Sequence, residues 1–518
     1  MTGGDIDFTL GDIVSDNAVR FGDGPAYKMG PRTATHAQLH ERAVRLVSAM
    51  ATAGVRRQDR VAVLSRNSVE FGEVMAATHL SGIILATVNF RLSPREILDV
   101  LKRVSPSIVF CSDEFASVIT ELAPQLPSGP VLVNFGGSGR AGMVDFEEFV
   151  AGGRGRLPFA ARPDDIACLL FTSGTTGPSK CCILGQRELR RVAFTMNVEM
   201  RTGSTDRGLI NMPMFHVGAM AIIGGLHARG GSVLLQQQFD AAAAVHMIQD
   251  ERITLLHLAP VMLRALLDEV TGPALDSLRT VVYSAAPMPV TTLKQALSLL
   301  PRVGFLNLYG QTEAIMSGLP RELHNVDGPG AADVLRSVGF PFPGVRVRIV
   351  GDDDRDVEPG EPGEIVVRSD SLFRGYWDDP AATLSTLRDG WCRTGDIGRF
   401  DQRGLLYLVD RKKDIIITGG ENVYSPEVEE ALGAIEGVAA CAVVGAPDER
   451  WGEAVCAVVV PAAGATLTLE TIQDVVRSRL ASYKVPRRLV LVNELPVLAS
   501  GKVDKKRLRA DVAAAAVG

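Results

Sequence analysis

The stretch Phe171–Cys182, which reads FTSGTTGPSKCC, follows a short apolar run and at once presents hydroxyls, glycines and a cation. Gly174 and Gly177 allow backbone amides to approach an anion closely, because glycine has no side chain. The common phosphate-loop pattern is absent, since no Gly-Lys pair occurs here. The side chains that can donate to phosphate oxygens are Thr172, Ser173, Thr175, Thr176 and Lys180. The composition indicates a phosphate-binding turn, and a polar turn without a ligand remains the alternative.

Further stretches concentrate polar and charged side chains within a few residues of one another. They are Tyr283–Pro289 (YSAAPMP), Leu308–Glu313 (LYGQTE), Trp391–Phe400 (WCRTGDIGRF), Asp410–Glu429 (DRKKDIIITGGENVYSPEVE) and Leu495–Arg509 (LPVLASGKVDKKRLR). Taken alone, each has a plain structural explanation. Asp396 fits a turn, Glu313 fits a helix cap, and cations near a chain end usually form a solvated face.

In this order and at this spacing, the stretches resemble those of the ANL adenylate-forming superfamily, and the resemblance covers nearly the whole chain. That superfamily includes acyl-CoA synthetases, peptide-synthetase adenylation domains and firefly-type luciferases. The resemblance implies an N-terminal domain over residues 1–410, a small mobile lid over residues 411–518, and ATP between them. It also implies two steps. A carboxylate first attacks the α-phosphorus of ATP to give acyl-AMP and pyrophosphate, and a thiol, amine or other nucleophile then displaces AMP.

The resemblance also assigns roles in nucleotide binding. The triphosphate would lie against Thr172, Ser173, Gly174, Thr175, Thr176, Gly177 and Lys180. The adenine slot would be formed by Ala285, Ala286, Pro287, Asn307, Tyr309 and Gly310, with the ring of Tyr309 stacked on the base. Asp396 would accept from the ribose hydroxyls with Arg411 beside it. Glu313 and Thr312 would offer hard oxygen atoms to Mg²⁺ near the phosphates.

Lys502 has the most specific implied role, because the superfamily places it in the active site during adenylation. There its amine would bridge the incoming carboxylate and the α-phosphate, as a mobile point charge. The lid would pivot at Lys413, withdraw Lys502 and bring Gly419 and Gly420 against the adenylate, where a pantetheine arm needs a wall without side chains. The cations after Lys502 are expected to form a solvated face: Lys505, Lys506, Arg507 and Arg509.

The acyl pocket is assigned to the segment NMPMFHVGAM. By resemblance, His216 gates the carboxylate end and the pantetheine channel, and a buried core histidine is the alternative. Gly218 and Ala219 would line the pocket, and the preceding Met196, Val198 and Met200 would make it apolar. No charged residue stands out as a partner for an ammonium group, which favours a hydrophobic acid over an amino acid.

Two positions depart from the superfamily pattern. Cys181, followed by Cys182, stands where a glycine usually follows the lysine of the loop. Ala285 stands where a glycine is frequent. Neither change removes a donor or a charge, so both affect the expected substrate size more than the reaction type.

Alternating patterns of strands and helices predict the fold that must hold these residues. The run THAQLHERAVRLVSAMATAG predicts a helix, RVAVLS and SIVFCS predict strands, and SPREILDVLKRV predicts a helix capped by Ser93 with Pro94 in its first turn. This alternation indicates an α/β fold. Short β segments from Arg346 onwards indicate a β subdomain, and the residues after Asp414 form a small unit of strands and helices. The alanine-rich end is expected to be a frayed tail.

Composition narrows the class further. At 518 residues the chain needs two or more domains, and its net charge of -6 argues against general binding to nucleic acid or anionic membranes. No run is long enough to span a membrane, and the start of the chain does not resemble a signal peptide. The seven scattered cysteines fit buried thiols in a reducing compartment, so the cytoplasm is expected. A homodimer is one expectation for the oligomeric state.

Three functions remain open at this point. The first is an acyl-CoA ligase that uses ATP, Mg²⁺ and CoA to activate a fatty or aromatic carboxylic acid. The second keeps the adenylation step but passes the acyl group to an amine or a carrier protein. The third is a nucleotide-binding scaffold, which would have no need for Lys502, Glu313 and Asp396 together. The identity of the acid is not determined by the sequence.

Overall fold

The structure is a computed structural model that describes residues 8–137, 142–172, 179–270, 275–498 and 502–515. Its residues form two compact units. The first contains residues 1–172, 180–346 and 368–392, and the second is built mainly from residues 347–367 and 393–518. The predicted domain boundary after Asp410 stays a prediction, because it concerns which part of the chain moves as a lid.

The first half of the first unit alternates helices and strands as predicted. Its elements are α1 (Leu10–Arg20), β1 (Pro25–Met29), β2 (Arg32–Thr35), α2 (His36–Thr52), β3 (Arg60–Leu64), α3 (Val69–Ser81), β4 (Ile84–Thr87), α4 (Pro94–Val104), β5 (Ile108–Cys111), α5 (Ala116–Leu122), β6 (Val131–Asn134), β7 (Val144–Asp145), α6 (Phe146–Ala151), β8 (Ile166–Phe171), β9 (Cys181–Gly185) and α7 (Gln186–Met200). Short 3₁₀ turns lie at Asp113–Phe115 and Ala123–Gln125.

The rest of the first unit continues the same alternation and then changes to short strands. Its elements are β10 (Arg207–Ile210), α8 (Val217–His227), β11 (Ser232–Leu235), α9 (Ala241–Asp250), β12 (Leu255–Leu258), α10 (Pro260–Glu269), β13 (Thr280–Tyr283), α11 (Val290–Leu299), β14 (Gly304–Asn307), β15 (Tyr309–Gly310), β16 (Ile315–Gly318), α12 (Ala331–Arg336) and β17 (Phe340–Pro341). A 3₁₀ turn lies at Arg321–Leu323.

Two seven-stranded sheets form the centre of the first unit. One has the order β14-β13-β12-β10-β11-β1-β2 and the other the order β7-β6-β5-β3-β4-β8-β9. Pairing is parallel except at β1–β2 and β8–β9. The parallel strands are apolar, as expected where helices cover both faces of a sheet. The predicted α/β fold is confirmed.

Local sequence explains where the predicted helices begin. Ser93 caps α4 by accepting a hydrogen bond from the backbone of Glu96, and Pro94 occupies the first turn. Thr35 caps α2 in the same way, with Gln38 completing a capping box. Cys441 is half-buried and the other six cysteines are buried, as predicted.

The second unit contains a β region followed by a region of mixed strands and helices. Between and within these regions run β18 (Arg346–Val350), β19 (Gly363–Arg368), α13 (Pro380–Thr386), β20 (Leu387–Arg388), β21 (Trp391–Phe400), β22 (Leu406–Arg411), β23 (Ile416–Thr418), β24 (Glu421–Val423), α14 (Ser425–Gly433), β25 (Val438–Asp448), β26 (Gly452–Pro461), α15 (Leu469–Arg477), β27 (Arg488–Leu491) and α16 (Lys505–Ala515). Of these, α13, β20 and the first residues of β21 belong to the first unit. A 3₁₀ turn lies at Ser482–Lys484.

Two sheets organise the second unit. Strands β18, β19, β21 and β22 form the predicted β region, and β24-β23-β26-β25 with β27 beside β26 form the other sheet. The expectation of a frayed tail is wrong for most of its length. Residues up to Ala515 form α16, because Leu508 and Val512 pack into a buried cluster with strands β25 and β26. In the described residues, no helix has both the length and the apolar content needed to cross a membrane.

Candidate functional site

The hydroxyl-rich stretch connects two antiparallel strands. Phe171 at the end of β8 pairs with Cys181 at the start of β9. The backbone N–H of Thr172 donates to the carbonyl of Lys180 at 2.8 Å, which brings the two ends of the connection together. The predicted triphosphate contacts Ser173, Gly174, Thr175, Thr176 and Gly177 lie outside the described residues. For this region, the structure therefore describes the strand before the stretch and the positions of Thr172 and Lys180.

Glu313 lies at the tip of a β-hairpin rather than in a helix cap. Tyr309 and Gly310 form β15, and Gln311 and Ala314 exchange backbone hydrogen bonds across the turn to β16. A side chain at Gly310 would lie 2.8 Å from the carbonyl oxygen of Ala314, so the tight hairpin requires glycine there. The turn leaves Thr312 and Glu313 half-buried at its tip.

Tyr376 brings Lys180 and Glu313 together. Its hydroxyl donates to Glu313 Oε1 at 2.7 Å, and Lys180 Nζ lies 4.6 Å from the centre of its ring. Such an ammonium–ring distance is within the range of a cation–π interaction. The thiol of Cys182 lies near Glu313 as well. Lys180 and Glu313, both predicted site residues, thus contact the same aromatic side chain, Tyr376, which was not predicted from the sequence.

The groups around Glu313 remain protonated donors. Burial raises the pKa of the Tyr376 hydroxyl, and the nearby Glu313 carboxylate raises it further. Burial likewise raises the pKa of the Cys182 thiol well above its ordinary value, and Glu313 adds to the effect. Because neither group ionises near neutral pH, the Tyr376 hydroxyl holds the carboxylate by donating a hydrogen bond to it, and the Cys182 thiol adds no negative charge beside it.

Glu313 is suited to share a magnesium ion with phosphates. In the described part of the chain, no group of three or more His, Cys, Asp or Glu side chains could form a metal site by itself. Magnesium is commonly held by one or two protein carboxylates, with substrate phosphates and water completing the shell. One oriented carboxylate beside a lysine fits this arrangement, so the residues present fit the ion.

The predicted adenine slot follows strands β13 and β14. Ala285, Ala286 and Pro287 are exposed, whereas Asn307 and Tyr309 are largely buried. Ala285 has φ +75°, in the left-handed region that favours glycine. Alanine there costs about 1 kcal/mol or more, which gives a physical reason for the glycine that is frequent at this position.

Several buried polar atoms at the carboxyl ends of the parallel strands have no hydrogen-bond partner among the described residues. They belong to Asn211, Gln236, His257 and Asn307, at or just after the ends of β10, β11, β12 and β14. The carboxyl ends of parallel strands are the usual place for ligands in open α/β sheets. Of these residues, only Asn307 was predicted from the sequence, because the other three become its neighbours only when the sheet forms.

His257 and Ser284 form a polar pair beside the predicted acyl pocket. His257 Nε2 lies 2.8 Å from Ser284 Oγ. Its Cε1 would lie 3.5 Å from a methyl group built on Gly218. Burial lowers the pKa of His257 to about 4, so the ring is neutral near pH 7. The wall of the pocket near Gly218 is therefore uncharged, although it is less apolar than the sequence indicated.

The other predicted pocket residues divide into two groups. His216 caps the start of α8, its ring against that of Phe215, and Ala219 is fully buried in the first turn of this helix. Met196 and Met200 are buried on α7, but the expectation for Val198 is wrong. Val198 is 66% exposed, because it lies two positions from both Met196 and Met200 and so points away from the buried face of α7.

Asp396 and Arg411 pair in the second unit, and their charges act on the pKa of Lys502. Asp396 on β21 pairs with Arg411 on β22, and Arg411 Nε lies 3.2 Å from Asp396 Oδ1. Lys502 lies just before a bridge that Val503 forms with Val497, and its carbonyl accepts from Leu498 N–H at 2.7 Å. Surrounding protein atoms lower the pKa of Lys502, although the side chain keeps contact with solvent. Arg411 lowers this pKa further and Asp396 opposes the change.

The remaining lid residues occupy different surroundings. Lys413 lies exposed in the turn between β22 and β23, where surrounding protein atoms and Arg411 lower its pKa. Gly419 and Gly420 are exposed with φ +61° and +86°. A methyl group on Gly419 would lie 2.7 Å from the ring of Trp451, whereas the space around Gly420 is open. Arg487 also packs on Trp451, at 4.1 Å from its ring centre.

The expectation of a solvated cationic face after Lys502 is wrong for two residues. Lys505 Nζ lies 2.7 Å from Glu429 and also hydrogen-bonds Ser425, and Arg509 lies 2.9 Å from Asp414. These cations tie α16 to the rest of the unit, since α16 packs against β25 and presents them to acidic side chains. Lys506 and Arg507 are exposed as expected.

Comparisons with known proteins assign the chain to a family. Residues 14–377 match the family described as AMP-binding enzyme, and residues 427–502 match the AMP-binding enzyme C-terminal domain. A feruloyl-CoA synthase from Amycolatopsis is 35% identical over 93% of this chain and 95% of its own length. The fatty acid–acyl-carrier-protein ligase ScoC from Streptomyces coeruleorubidus is 34% identical over 97% and 96%. ATP-bound MatB from Rhodopseudomonas palustris superposes with a TM-score of 0.88, at 28% identity over 97% and 99%.

The family matches and the α/β fold define an adenylate-forming enzyme. The chain belongs to the AMP-binding enzyme family, as an acyl-CoA synthetase of the ANL superfamily. The predicted class of acid–thiol ligase is thereby confirmed.

Proposed function

We propose that this chain activates a hydrophobic carboxylic acid, fatty or aromatic, as an acyl-AMP and then transfers the acyl group to CoA. The observation that carries the proposal is the arrangement around Tyr376, which contacts both the Glu313 carboxylate and the Lys180 ammonium. A carboxylate and a cation held beside the hydroxyl-rich stretch suit the binding of magnesium and triphosphate. Its relatives include CoA ligases for acids of both kinds, among them the feruloyl-CoA synthase and the long-chain-fatty-acid–CoA ligase FadD13 from Mycobacterium tuberculosis.

In the first step, a carboxylate oxygen forms a bond to the α-phosphorus and the bond to the departing pyrophosphate breaks, with its electron pair leaving on pyrophosphate. Thr172, Lys180 and the glycine-rich connection would hold the triphosphate, and Lys502 would offset charge on the α-phosphate. Asp396 would accept from the ribose, and Tyr309, Ala285 and Asn307 would form the adenine slot. Bound Mg²⁺ would neutralise phosphate charge beside Glu313.

In the second step, the CoA sulfur bonds to the acyl carbon, AMP leaves with the electron pair of the broken bond, and the thiol proton is released. Gly419 and Gly420 would form a side-chain-free wall for the pantetheine arm, with Lys413 as the pivot. Three basic residues, Lys484, Arg487 and Arg488, are candidates to meet the CoA 3′-phosphate, and Lys484 is the weakest of them because its Nζ already lies 2.6 Å from Glu427. We further propose a cytoplasmic location, with a homodimer as the form to test.

Transfer to a carrier protein or an amine is the second candidate. The relative ScoC supports it, since that protein is named as a ligase for an acyl carrier protein and matches nearly the whole chain. Both candidates share adenylation, so they differ only in the acceptor of the acyl group.

A two-stage assay separates the candidates. Carboxylate-dependent exchange of labelled pyrophosphate into ATP tests the first step over a panel of fatty, aromatic and amino acids. Thioester formation on addition of CoA tests the second. We expect exchange with a hydrophobic acid and a CoA thioester. Exchange without a thioester would favour the carrier or amine candidate, and absence of exchange with every acid would contradict adenylation.

A further inference from the structure

Tyr376 is fixed in place by the strand that also carries the hydroxyl-rich stretch. Residues 374–377 run antiparallel to β9, with Cys182 bridged to Tyr376 and Ile183 N–H donating to the Gly375 carbonyl at 2.9 Å. The backbone N–H of Tyr376 donates to the hydroxyl of Thr383 at 2.8 Å. A side chain at Gly375 would lie 2.7 Å from Thr383, and Gly375 has φ +128°. The segment therefore has little freedom to move relative to β9.

The same segment holds Glu313 by its main chain as well as by its side chain. The backbone N–H of Phe373 donates to the carbonyl of Glu313 at 2.9 Å, and the Tyr376 hydroxyl donates to Oε1 at 2.7 Å. Tyr376 is only 5% exposed, so water competes little for this hydrogen bond. Two anchors three residues apart on one segment fix both the position and the rotation of the carboxylate.

The face of the Tyr376 ring serves a different partner. Lys180 Nζ lies 4.6 Å from the ring centre, so the aromatic surface attracts the ammonium while the hydroxyl edge holds the carboxylate. One neutral side chain thus separates two opposite charges and orients each of them. Without it, the flexible stem of Lys180 would be free to form an ion pair with an acidic side chain instead of a phosphate.

We propose that Tyr376 is a positioning residue for the triphosphate and its magnesium ion, acting through Glu313 with its hydroxyl and through Lys180 with its ring. The inference rests on the proposed function, because it assigns Glu313 and Lys180 to the phosphates. It adds Tyr376 to the predicted site and assigns its hydroxyl and its ring to different partners, neither of which the superfamily resemblance supplied.

Three variants separate the two contacts. Tyr376→Phe keeps the ring and removes the hydroxyl, Tyr376→Leu removes both, and Tyr27→Phe is the matched control. Tyr27 is a buried tyrosine of the same unit whose hydroxyl has no hydrogen-bond partner among the described residues. All three need a thermal unfolding curve, so that loss of structure is recognised.

The first measurement is the Mg²⁺ concentration that gives half-maximal pyrophosphate exchange. Outer-shell partners of metal ligands typically change metal affinity by about 10–100-fold, so we expect an increase of about tenfold in Tyr376→Phe. Saturating Mg²⁺ should restore most of the rate, and the KM for the acid should not change. Tyr376→Leu should show the same Mg²⁺ effect and, in addition, a KM for ATP raised several-fold. Tyr27→Phe should match the wild type in both.

The second measurement needs no turnover. Calorimetric titration with the α,β-methylene analogue of ATP, at a series of Mg²⁺ concentrations, should show that Tyr376→Phe needs about tenfold more Mg²⁺ for tight binding. An unchanged Mg²⁺ dependence in both measurements would overturn the proposal. So would equal loss of exchange and of thioester formation from pre-made acyl-AMP, since that pattern reports general damage. If the wild type exchanges with no acid, the proposed function fails, and the titration still tests Tyr376 on its own.

Discussion

The two units each assemble a charged cluster, and they do so by different means. In the first unit, Lys180 and Glu313 are arranged by Tyr376, a neutral and nearly fully buried side chain. In the second unit, Lys502 is influenced directly by two charges, Arg411 and Asp396, which act on its pKa in opposite directions. The contacts of Tyr376 fix the positions of Lys180 and Glu313, whereas the charges of Arg411 and Asp396 change the pKa of Lys502. We therefore expect substitutions in the first cluster to alter the binding of magnesium and ATP, and substitutions in the second cluster to alter the pH dependence.

Loss of Lys502 should have the largest effect and should fall on one step only. Removing one oriented charge from a developing transition state typically costs about 10²–10³-fold in rate, so we expect Lys502→Ala to slow pyrophosphate exchange by that factor. Thioester formation from pre-made acyl-AMP should stay within about threefold of the wild type. Lys506→Ala, a change of an exposed cation four residues away, is the matched control. Equal loss in both steps would contradict a lysine that serves adenylation alone.

Loss of the Glu313 charge should follow in size. Glu313→Gln keeps the shape of the side chain and removes its negative charge. We expect pyrophosphate exchange to fall about 100-fold, because replacing even a residue that only contacts a metal ligand lowers metal affinity or activity by about 10–100-fold. Raising Mg²⁺ should recover part of the rate. Glu322→Gln, on the exposed surface of the same unit, serves as the control. If Glu313→Gln shows ordinary Mg²⁺ dependence, Glu313 does not share the ion.

A side chain at Gly420 should affect the other step. Gly420→Ala adds a methyl group to an open face at φ +86°, so it narrows the proposed pantetheine wall at a conformational cost of about 1–2 kcal/mol. We expect thioester formation to fall about tenfold with exchange unchanged. Gly433→Ala, in helix α14 with open space around it, should change neither step. If Gly420→Ala lowered only pyrophosphate exchange, Gly420 would have no role in the CoA step.

The smallest expected effect is a change in pH dependence. Adenylation needs the charged form of Lys502, so the rate should fall as the pH rises through the lowered pKa of this amine. Because Arg411 helps to lower that pKa, Arg411→Gln should move the basic limb of the exchange profile to higher pH. Exchange rates at saturating ATP, over a pH series, provide the measurement. Arg477→Gln, an exposed arginine paired with Asp474, should leave the limb in place; a limb that Arg411→Gln does not move would contradict this account.

Local signals in the sequence were sufficient for most of the fold. Ser93 and Pro94 predicted the start of α4, and the apolar run RVAVLS predicted β3, because caps and short apolar runs act on nearby residues. Lys505 and Arg509 were misjudged for the opposite reason. A run of cations has no local feature that reveals acidic partners far along the chain.

The candidate site shows the same limit. Motif resemblance found Glu313, Asp396 and Lys502 as separate residues, and the hydrogen bond from Tyr376 to Glu313 spans 63 positions. A lone tyrosine after a glycine gives no local sign of such a contact. The pair His257–Ser284 was missed likewise, since strands β12 and β13 bring it together only when the sheet forms.

Transfer of an oxygen atom tests the central claim most directly. An acid that the exchange assay identifies as a substrate, labelled with ¹⁸O in its carboxylate, should be converted with ATP and CoA, and the products analysed by mass spectrometry. Attack of the carboxylate on the α-phosphorus predicts one ¹⁸O atom in AMP and none in pyrophosphate. Unlabelled AMP, or label in pyrophosphate or orthophosphate, would contradict an acyl-AMP intermediate.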